Sequence, residues 1–148
     1  MSEAVAGGTV RTLGPADAAA AIALWRGAGL TRAWNDPAAD YAAALATPDA
    51  VLLGLEEGSA LVGTVMVGWD GHRGWLYYLA VAPDRRREGV GRALVAAAEA
   101  WLRERGAPKA QLMVRDDNPA ASGFWRALGY ERQPVAVMGR WLGEEPCR

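Results

Sequence analysis

The chain has 148 residues, which is long enough for one domain with a complete hydrophobic core. Its formal net charge of −1 excludes a whole-molecule attraction to nucleic acid or anionic membranes. One cysteine and one histidine exclude an internal disulfide framework and leave too few ligands for a zinc site, so we expect no metal. No apolar run reaches membrane-spanning length, and the first residues lack a signal-peptide pattern, so we expect a cytoplasmic protein.

The first half of the chain predicts one edge strand, two helices and three apolar strands. The tail 1–8 is followed by a candidate strand, and Gly14-Pro15-Ala16-Asp17 begins the first helix. Asp36-Pro37 begins the second helix, with Asp36 as N-cap and Pro37 as first helical residue. An Asp-Gly turn, typical of a β-hairpin, joins the last two strands. The predicted strands are 9–12, 51–55, 61–69 and 75–81.

The second half contains the longest amphipathic pattern. From Val90 the apolar residues recur on one face of a helix that ends at Gly106. A short helix is predicted at 120–128, and strands are predicted at 110–114, 130–135 and 137–141. The order β-α-α-β-β-β-α-β-α-β-β, without repeats or a linker, predicts a single α/β (α+β) domain, 1–148, with a mixed sheet and helices on both faces.

An arginine- and glycine-rich turn, 85–91, separates the strand 75–81 from the long helix. Free backbone N–H groups at a helix start, together with the helix dipole, favour an anion, and glycines allow it to approach closely. The turn lacks the lysine of a P-loop, and Leu94 stands where a dinucleotide-binding fingerprint needs glycine or alanine. The turn therefore predicts a phosphate-binding loop of another kind; a solvated arginine turn is the plain alternative.

The segment Arg86–Gly91 reads R-x-x-G-x-G, which resembles the central motif of the GNAT superfamily, the acetyl-CoA-dependent N-acetyltransferases. Asp117–Tyr130 is similar to the C-terminal motif of that family, and the resemblance covers nearly the whole chain. Leu30–Pro37 and Val67–Val81 look like the YpeA-type branch of bacterial acetyltransferases. The resemblance implies a GNAT-like mixed, mainly antiparallel sheet that is splayed at the central strand.

The same resemblance implies that acetyl-CoA is the cosubstrate. Backbone N–H groups of the loop would hold its pyrophosphate, with charge-assisted hydrogen bonds from an arginine. The strand 79–81 would pair with the pantetheine amides, and Asn118 would contact CoA unless it serves only as a helix cap. The implied cofactor-binding residues are Leu79, Ala80, Val81, Arg86, Arg87, Gly89, Val90, Gly91, Arg92 and Asn118.

Catalysis by such a protein needs an oxyanion donor and two proton movements. The resemblance implies a backbone N–H at Leu79 or Ala80 as the donor to the thioester oxygen. Family members commonly place a tyrosine general acid where this chain has Trp125, and an indole cannot hand over a proton. Tyr77 or Tyr78 could replace it, with Tyr78 preferred, and we expect these neighbours on opposite faces of the strand.

The acceptor site is less constrained by sequence. The candidate acceptor-site residues are Trp34, Asp36 and His72. Each has a structural alternative: Trp34 could pack in the core, Asp36 could serve as a helix cap alone, and His72 could be an exposed turn residue. The leading hypothesis is an N-acetyltransferase acting on a primary amine of a small molecule or a protein. The alternative is a CoA-binding regulatory module with weak or no transferase activity, because Trp125 replaces the usual tyrosine. We expect no nucleic-acid or membrane partner; the oligomeric state, a homodimer included, stays open.

Overall fold

A six-stranded sheet runs through the computed structural model, which describes residues 3–5, 8–86 and 88–144 and the side chains from residue 8 onward. The strands lie side by side in chain order, and all neighbours are antiparallel except the last pair, which is parallel. The strands are β1 (Glu3–Val5), β2 (Gly8–Thr12), β3 (Ala50–Glu57), β4 (Ala60–Trp69), β5 (Gly74–Val81) and β6 (Ala110–Gln111). The sheet is therefore mixed and mainly antiparallel, as predicted.

The described part of the chain contains four α-helices. They are α1 (Ala18–Gly27), α2 (Pro37–Ala46), α3 (Val90–Glu104) and α4 (Pro119–Ala127). The Asp36 carboxylate accepts a hydrogen bond from the Ala39 N–H at 3.1 Å, which confirms the predicted cap and start of α2. A 3₁₀ turn, Pro15–Asp17, precedes α1.

Neighbouring residues of β4 show which helices cover which face. The Thr64 hydroxyl accepts a hydrogen bond from the Trp25 indole of α1 at 2.9 Å. A Cβ added at Gly63 would lie 2.7 Å from a methyl of Val90 in α3. Because successive strand residues point to opposite faces, α1 and α3 cover opposite sides of the sheet. This confirms the prediction of helices on both faces.

An ion-pair cluster joins β2 to β3 and to the turn before α1. The Arg11 guanidinium lies 2.7 Å from Glu56 and 2.8 Å from Asp17, and the Asp17 carboxylate also accepts from the Gly14 N–H at 2.8 Å. The hydrogen bonds from Arg11 and Gly14 lower the pKa of Asp17 from 3.8 to about 2. The cluster therefore stabilises the β2–β3 part of the sheet most strongly at pH values where Asp17 is ionised.

The chain separates into two compact units, 1–112 and 113–148, so the single-domain reading stays a prediction. Four sequence predictions about strands were wrong. β1 lies in the segment predicted as a tail, β6 ends at Gln111 instead of 114, and residues 130–135 and 137–141 form no strand. Val137 and Met138 are 74% and 94% exposed, so the burial that favours strand formation is missing there. Among the described residues, no helix has the length and apolarity needed to cross a bilayer.

Candidate active site

The loop before α3 has the form of an anion site. Gly89 is the N-cap of α3 with a φ of +84°, a left-handed conformation that costs glycine nothing and other residues more. No atom lies within 4 Å of a Cβ built there, so the space above the loop is open. Val90 and Gly91 are buried against the sheet, while Arg92 is exposed. The first N–H groups of the helix lack intrahelical partners and are available to an anion.

The arginines of this loop differ in their partners. Arg85 donates to both carboxylate oxygens of Glu57, at 3.2 and 3.0 Å, and Glu57 raises the pKa of the guanidinium further. Arg86 is exposed and, in the described part of the chain, no side-chain hydrogen bond or ion pair engages it. Arg87 lies outside the described residues. Arg86 is therefore better placed than Arg85 to meet an added anion.

One edge of β5 is open next to this loop. β6 pairs only with Gly74 and Trp75, so the edge beyond Trp75 has no strand partner among the described residues. The Ala82 N–H donates to the Val62 carbonyl of β4 at 2.8 Å. Because backbone groups alternate between the two edges, Leu79 and Val81 present theirs to the open edge, whereas Ala80 faces β4. An extended ligand could pair with this edge.

A β-bulge interrupts β5 where the edge opens. Tyr77 pairs with Met66 and Ala80 pairs with Thr64, so two residues of β5 lie opposite Val65. One of them, Tyr78, has a φ of +52°, a left-handed conformation that costs a non-glycine residue about 1–3 kcal/mol. Tertiary contacts must therefore hold this residue in place.

Tyr78 is held from three sides. Its ring stacks on Trp25 with centroids 3.9 Å apart, its hydroxyl donates to Asp40 of α2 at 2.6 Å, and its carbonyl accepts from the Thr64 hydroxyl at 3.1 Å. Burial, together with the hydrogen bond to Asp40, raises the pKa of Tyr78 above its usual value near 10. The phenol is thus protonated at neutral pH with its proton directed to Asp40, and its role as a proton carrier stays a prediction.

The two tyrosines do not lie on opposite faces of the strand, as strict alternation predicts. Tyr77 lies opposite Met66, and both Met66 and Tyr78 pack against the cluster that contains Trp25. The bulge therefore places both tyrosines on the face covered by α1. Tyr77 is 41% exposed, and burial of the rest of its ring raises its pKa.

The three candidate acceptor residues lie in separate turns. Trp34 is half-buried in the loop between α1 and α2, where Asp36 is engaged in capping α2. His72 is exposed in the β4–β5 turn, and its backbone N–H donates to Asp70 at 2.8 Å. No hydrogen bond in the described part of the chain brings the three side chains together. Their acceptor role stays a prediction.

The unit 113–148 contains Asn118, a predicted CoA contact, and Trp125, which stands in place of the expected tyrosine acid. Asn118 caps α4, because its side-chain oxygen accepts from the Ala121 N–H at 3.1 Å. The Trp125 ring makes edge contacts with Phe124 and Tyr130, each with centroids 5.1 Å apart. Within this unit the Trp125 ring packs against two other rings.

Sequence reasoning missed the residues that hold Tyr78: Trp25, Asp40 and Thr64. One signal was present. Thr64 is a lone hydroxyl in an otherwise apolar strand and is fully buried, and buried polar groups are nearly always hydrogen-bonded. Its partner could not be read from the sequence, because Trp25 lies 39 positions away.

Similarity to known proteins identifies the family of this chain. A profile described as the acetyltransferase (GNAT) family matches residues 19–130. The chain belongs to the GNAT family. An acetyltransferase of Yersinia enterocolitica is 41% identical over 133 residues, covering 90% of this chain and 94% of the relative. An acetyltransferase of Pectobacterium atrosepticum is 43% identical over 129 residues, covering 87% and 92%.

Solved structures of GNAT proteins share the fold. The aminoglycoside acetyltransferase AAC(6')-Iy, in complex with a CoA-containing bisubstrate analogue, superposes with a TM-score of 0.77 at 17% identity, over 89% of this chain and 96% of its own. The ribosomal-protein-S18-alanine N-acetyltransferase of Escherichia coli gives 0.72 at 25% identity, over 82% and 76%. The predicted acetyl-CoA-dependent N-acetyltransferase class is confirmed, and acetyl-CoA is the cosubstrate of GNAT acetyltransferases. The YpeA-type branch stays a prediction.

Proposed function

We propose that this protein moves the acetyl group of acetyl-CoA to a primary amine, of a small molecule or of a protein, by direct attack in a ternary complex. The observation that carries the proposal is the open edge of β5 beside the glycine-capped start of α3. The edge suits the extended pantetheine arm, and the helix start suits the pyrophosphate. When bound, acetyl-CoA supplies an activated acyl group and a thiolate leaving group.

The donor would be held by backbone more than by side chains. Leu79 and Val81 face the open edge and would pair with the pantetheine amides; Ala80 faces β4 and would contribute no such bond. The loop N–H groups from 87 to 92 would hold the pyrophosphate, with Arg86 adding a charge-assisted hydrogen bond. Asn118 would contact CoA only through atoms that its capping bond leaves free.

The Leu79 N–H is the proposed oxyanion donor, because it faces the open edge and lies next to the bulge. An acceptor ammonium must also lose a proton before it attacks. The Tyr78 hydroxyl donates its proton to Asp40, so this phenol is not free to take the ammonium proton. Solvent is the proposed carrier of that proton.

The acceptor is proposed only as a class. The names of two solved structures with this fold give different acceptors, an aminoglycoside in one and a ribosomal-protein alanine in the other. Trp34 and His72 are accessible in the loop before α2 and in the β4–β5 turn, so both remain candidate contacts. The Asp36 carboxylate could meet an ammonium only with the oxygen that does not cap α2.

The alternative function is a CoA-binding regulatory module with weak or no transferase activity. The packing of Trp125 between Phe124 and Tyr130 favours it, since this side chain offers no acid. The experiment incubates purified protein with acetyl-CoA and a panel of amino sugars, polyamines and peptides, and follows thiol release together with product mass. Amine-dependent thiol release supports the transferase. Saturable CoA binding without thiol release across the panel supports the binding module.

A further inference from the structure

A series of hydrogen bonds runs from Trp25 through Thr64 to the Tyr78 carbonyl of β5, and each bond has a fixed donor and acceptor. The Trp25 indole is a donor only, so it must donate to the Thr64 oxygen, at 2.9 Å. The single hydroxyl proton of Thr64 is then available for the Tyr78 carbonyl, at 3.1 Å. Trp25 and Thr64 are fully buried, so water does not compete for these groups.

The end of this series of hydrogen bonds fixes a backbone direction. The Tyr78 carbonyl and the Leu79 N–H belong to one planar peptide, and no described peptide bond is cis. In a trans peptide the C=O and N–H bonds point in opposite directions. A carbonyl directed at Thr64 therefore directs the Leu79 N–H away from Thr64 and away from β4. The position of one buried hydroxyl thus sets the aim of the proposed oxyanion donor.

The series of hydrogen bonds also polarises that donor. Hydrogen bonds in series strengthen one another, because each donor becomes more positive when its own oxygen accepts a bond. The Tyr78 carbonyl that accepts from Thr64 makes the Leu79 N–H a better donor. The left-handed φ of Tyr78 would relax if the carbonyl were released, and the N–H would turn with it.

We infer that Thr64, supported by Trp25, is a positioning residue that aims the Leu79 N–H at the thioester oxygen of acetyl-CoA. The inference rests on the proposed function. It assigns to a buried threonine of β4, on the α1 face of the sheet, a role in acyl transfer without contact to substrate. Thr64→Val keeps the shape of the side chain and removes the hydroxyl, and Thr64→Ser keeps the hydroxyl.

We expect Thr64→Val to lower kcat about 10–100-fold, because the donor is misplaced and not removed, while the Kd for CoA changes less than about 3-fold. Thr64→Ser should restore kcat to within about 3-fold of the parent, because the hydroxyl is what the role requires. Val67→Ala, in the same strand on the α3 face, is the control for general destabilisation of β4. It should lower the melting temperature without the loss of kcat.

A second readout needs no acceptor. The infrared stretch of a ¹³C-labelled thioester carbonyl in bound acetyl-CoA falls in frequency when the oxygen accepts a hydrogen bond. We expect a lowered frequency in the parent and in Thr64→Ser, and a value near that of free acetyl-CoA in Thr64→Val. A parent-like frequency and kcat in Thr64→Val would overturn the inference, as would an equal loss of kcat in Val67→Ala. Absence of acetyl transfer to any amine, with the threonine-dependent shift intact, would instead refute the proposed function alone.

Discussion

Replacing Gly89 with alanine tests the donor site, because the helix α3 offers a matched control at its other end. Gly89 and Gly106 have left-handed φ values of +84° and +78°, and a Cβ at either position meets no atom within 4 Å. The conformational cost is therefore the same at both, about 1–2 kcal/mol. For a chain of this size that lowers the melting temperature by roughly 3–6 °C.

Only Gly89 lies in the proposed pyrophosphate loop. Alanine there would relax toward negative φ and turn at least one loop N–H away from the phosphate. Loss of one hydrogen bond to a charged group, about 1.5–3 kcal/mol, weakens CoA binding about 10–100-fold. Gly106→Ala should leave the affinity within about 2-fold, because surface changes away from a site are nearly neutral.

The assay is calorimetric titration of CoA into both variants, with melting temperatures measured on the same samples. Equal melting temperatures with unequal affinities are the expected result. Parent-like affinity in Gly89→Ala, despite the lowered melting temperature, would show that the loop does not hold the pyrophosphate. Equal losses of affinity in both variants would show that CoA binding merely follows the stability of α3.

Three further outcomes are expected. Asp17→Asn should lower the free energy of unfolding by about 1–2 kcal/mol at pH 7, as measured by urea titration. Since the pKa of folded Asp17 is lowered to about 2, the difference in unfolding free energy between parent and variant should vanish as pH falls from about 4 to 2. Arg86→Ala should weaken CoA binding about 5–10-fold, and the loss should depend on salt, as measured by titration at two salt concentrations. Arg85→Ala should weaken CoA binding less, because Arg85 is paired with the Glu57 carboxylate of β3. Gly63→Ala should lower the unfolding free energy by about 1–3 kcal/mol through a clash with α3, while Gly68→Ala, with open space around the new methyl, changes it little in the same urea assay.

Each of these three predictions has an outcome that would contradict it. A pH-independent stability loss in Asp17→Asn would mean that packing, not charge, holds the turn before α1. Equal effects of the two arginine variants would mean that the ion pair of Arg85 does not withdraw it from the ligand. Equal unfolding free energies in the two glycine variants would mean that the approach of β4 to α3 is not tight.

The long periodic and capped segments were predictable from sequence. Helix α3 has an apolar stripe over four turns and a glycine at each end, so its position followed from local pattern alone. Asp36-Pro37 likewise fixed the start of α2. In these segments the local preference and the tertiary structure favour the same conformation.

The bulge was not predictable, since it depends on the register between β4 and β5. A left-handed tyrosine has no local signature, and alternation predicts the regular strand that most sequences of this kind form. The network around Thr64 joins residues 39 and 14 positions away, which no window of local sequence contains. The strands predicted in 130–141 were wrong for the opposite reason: apolar residues of this alternating pattern, Val135, Val137 and Met138 among them, are exposed in the structure.

Tyr78 can also be regarded as a single-residue insertion in the β4–β5 hairpin. The pairs on either side of it, Tyr77 with Met66 and Ala80 with Thr64, would continue one regular ladder if this residue were deleted, and every other side chain would keep its face. Deletion would remove the strained backbone of Tyr78, but also its ring on Trp25 and its hydrogen bonds with Asp40 and Thr64. Engineering of this protein for heat resistance should therefore leave Tyr78 in place, because a regular ladder would remove the bulge beside the proposed oxyanion donor, and we expect that change to abolish acetyl transfer.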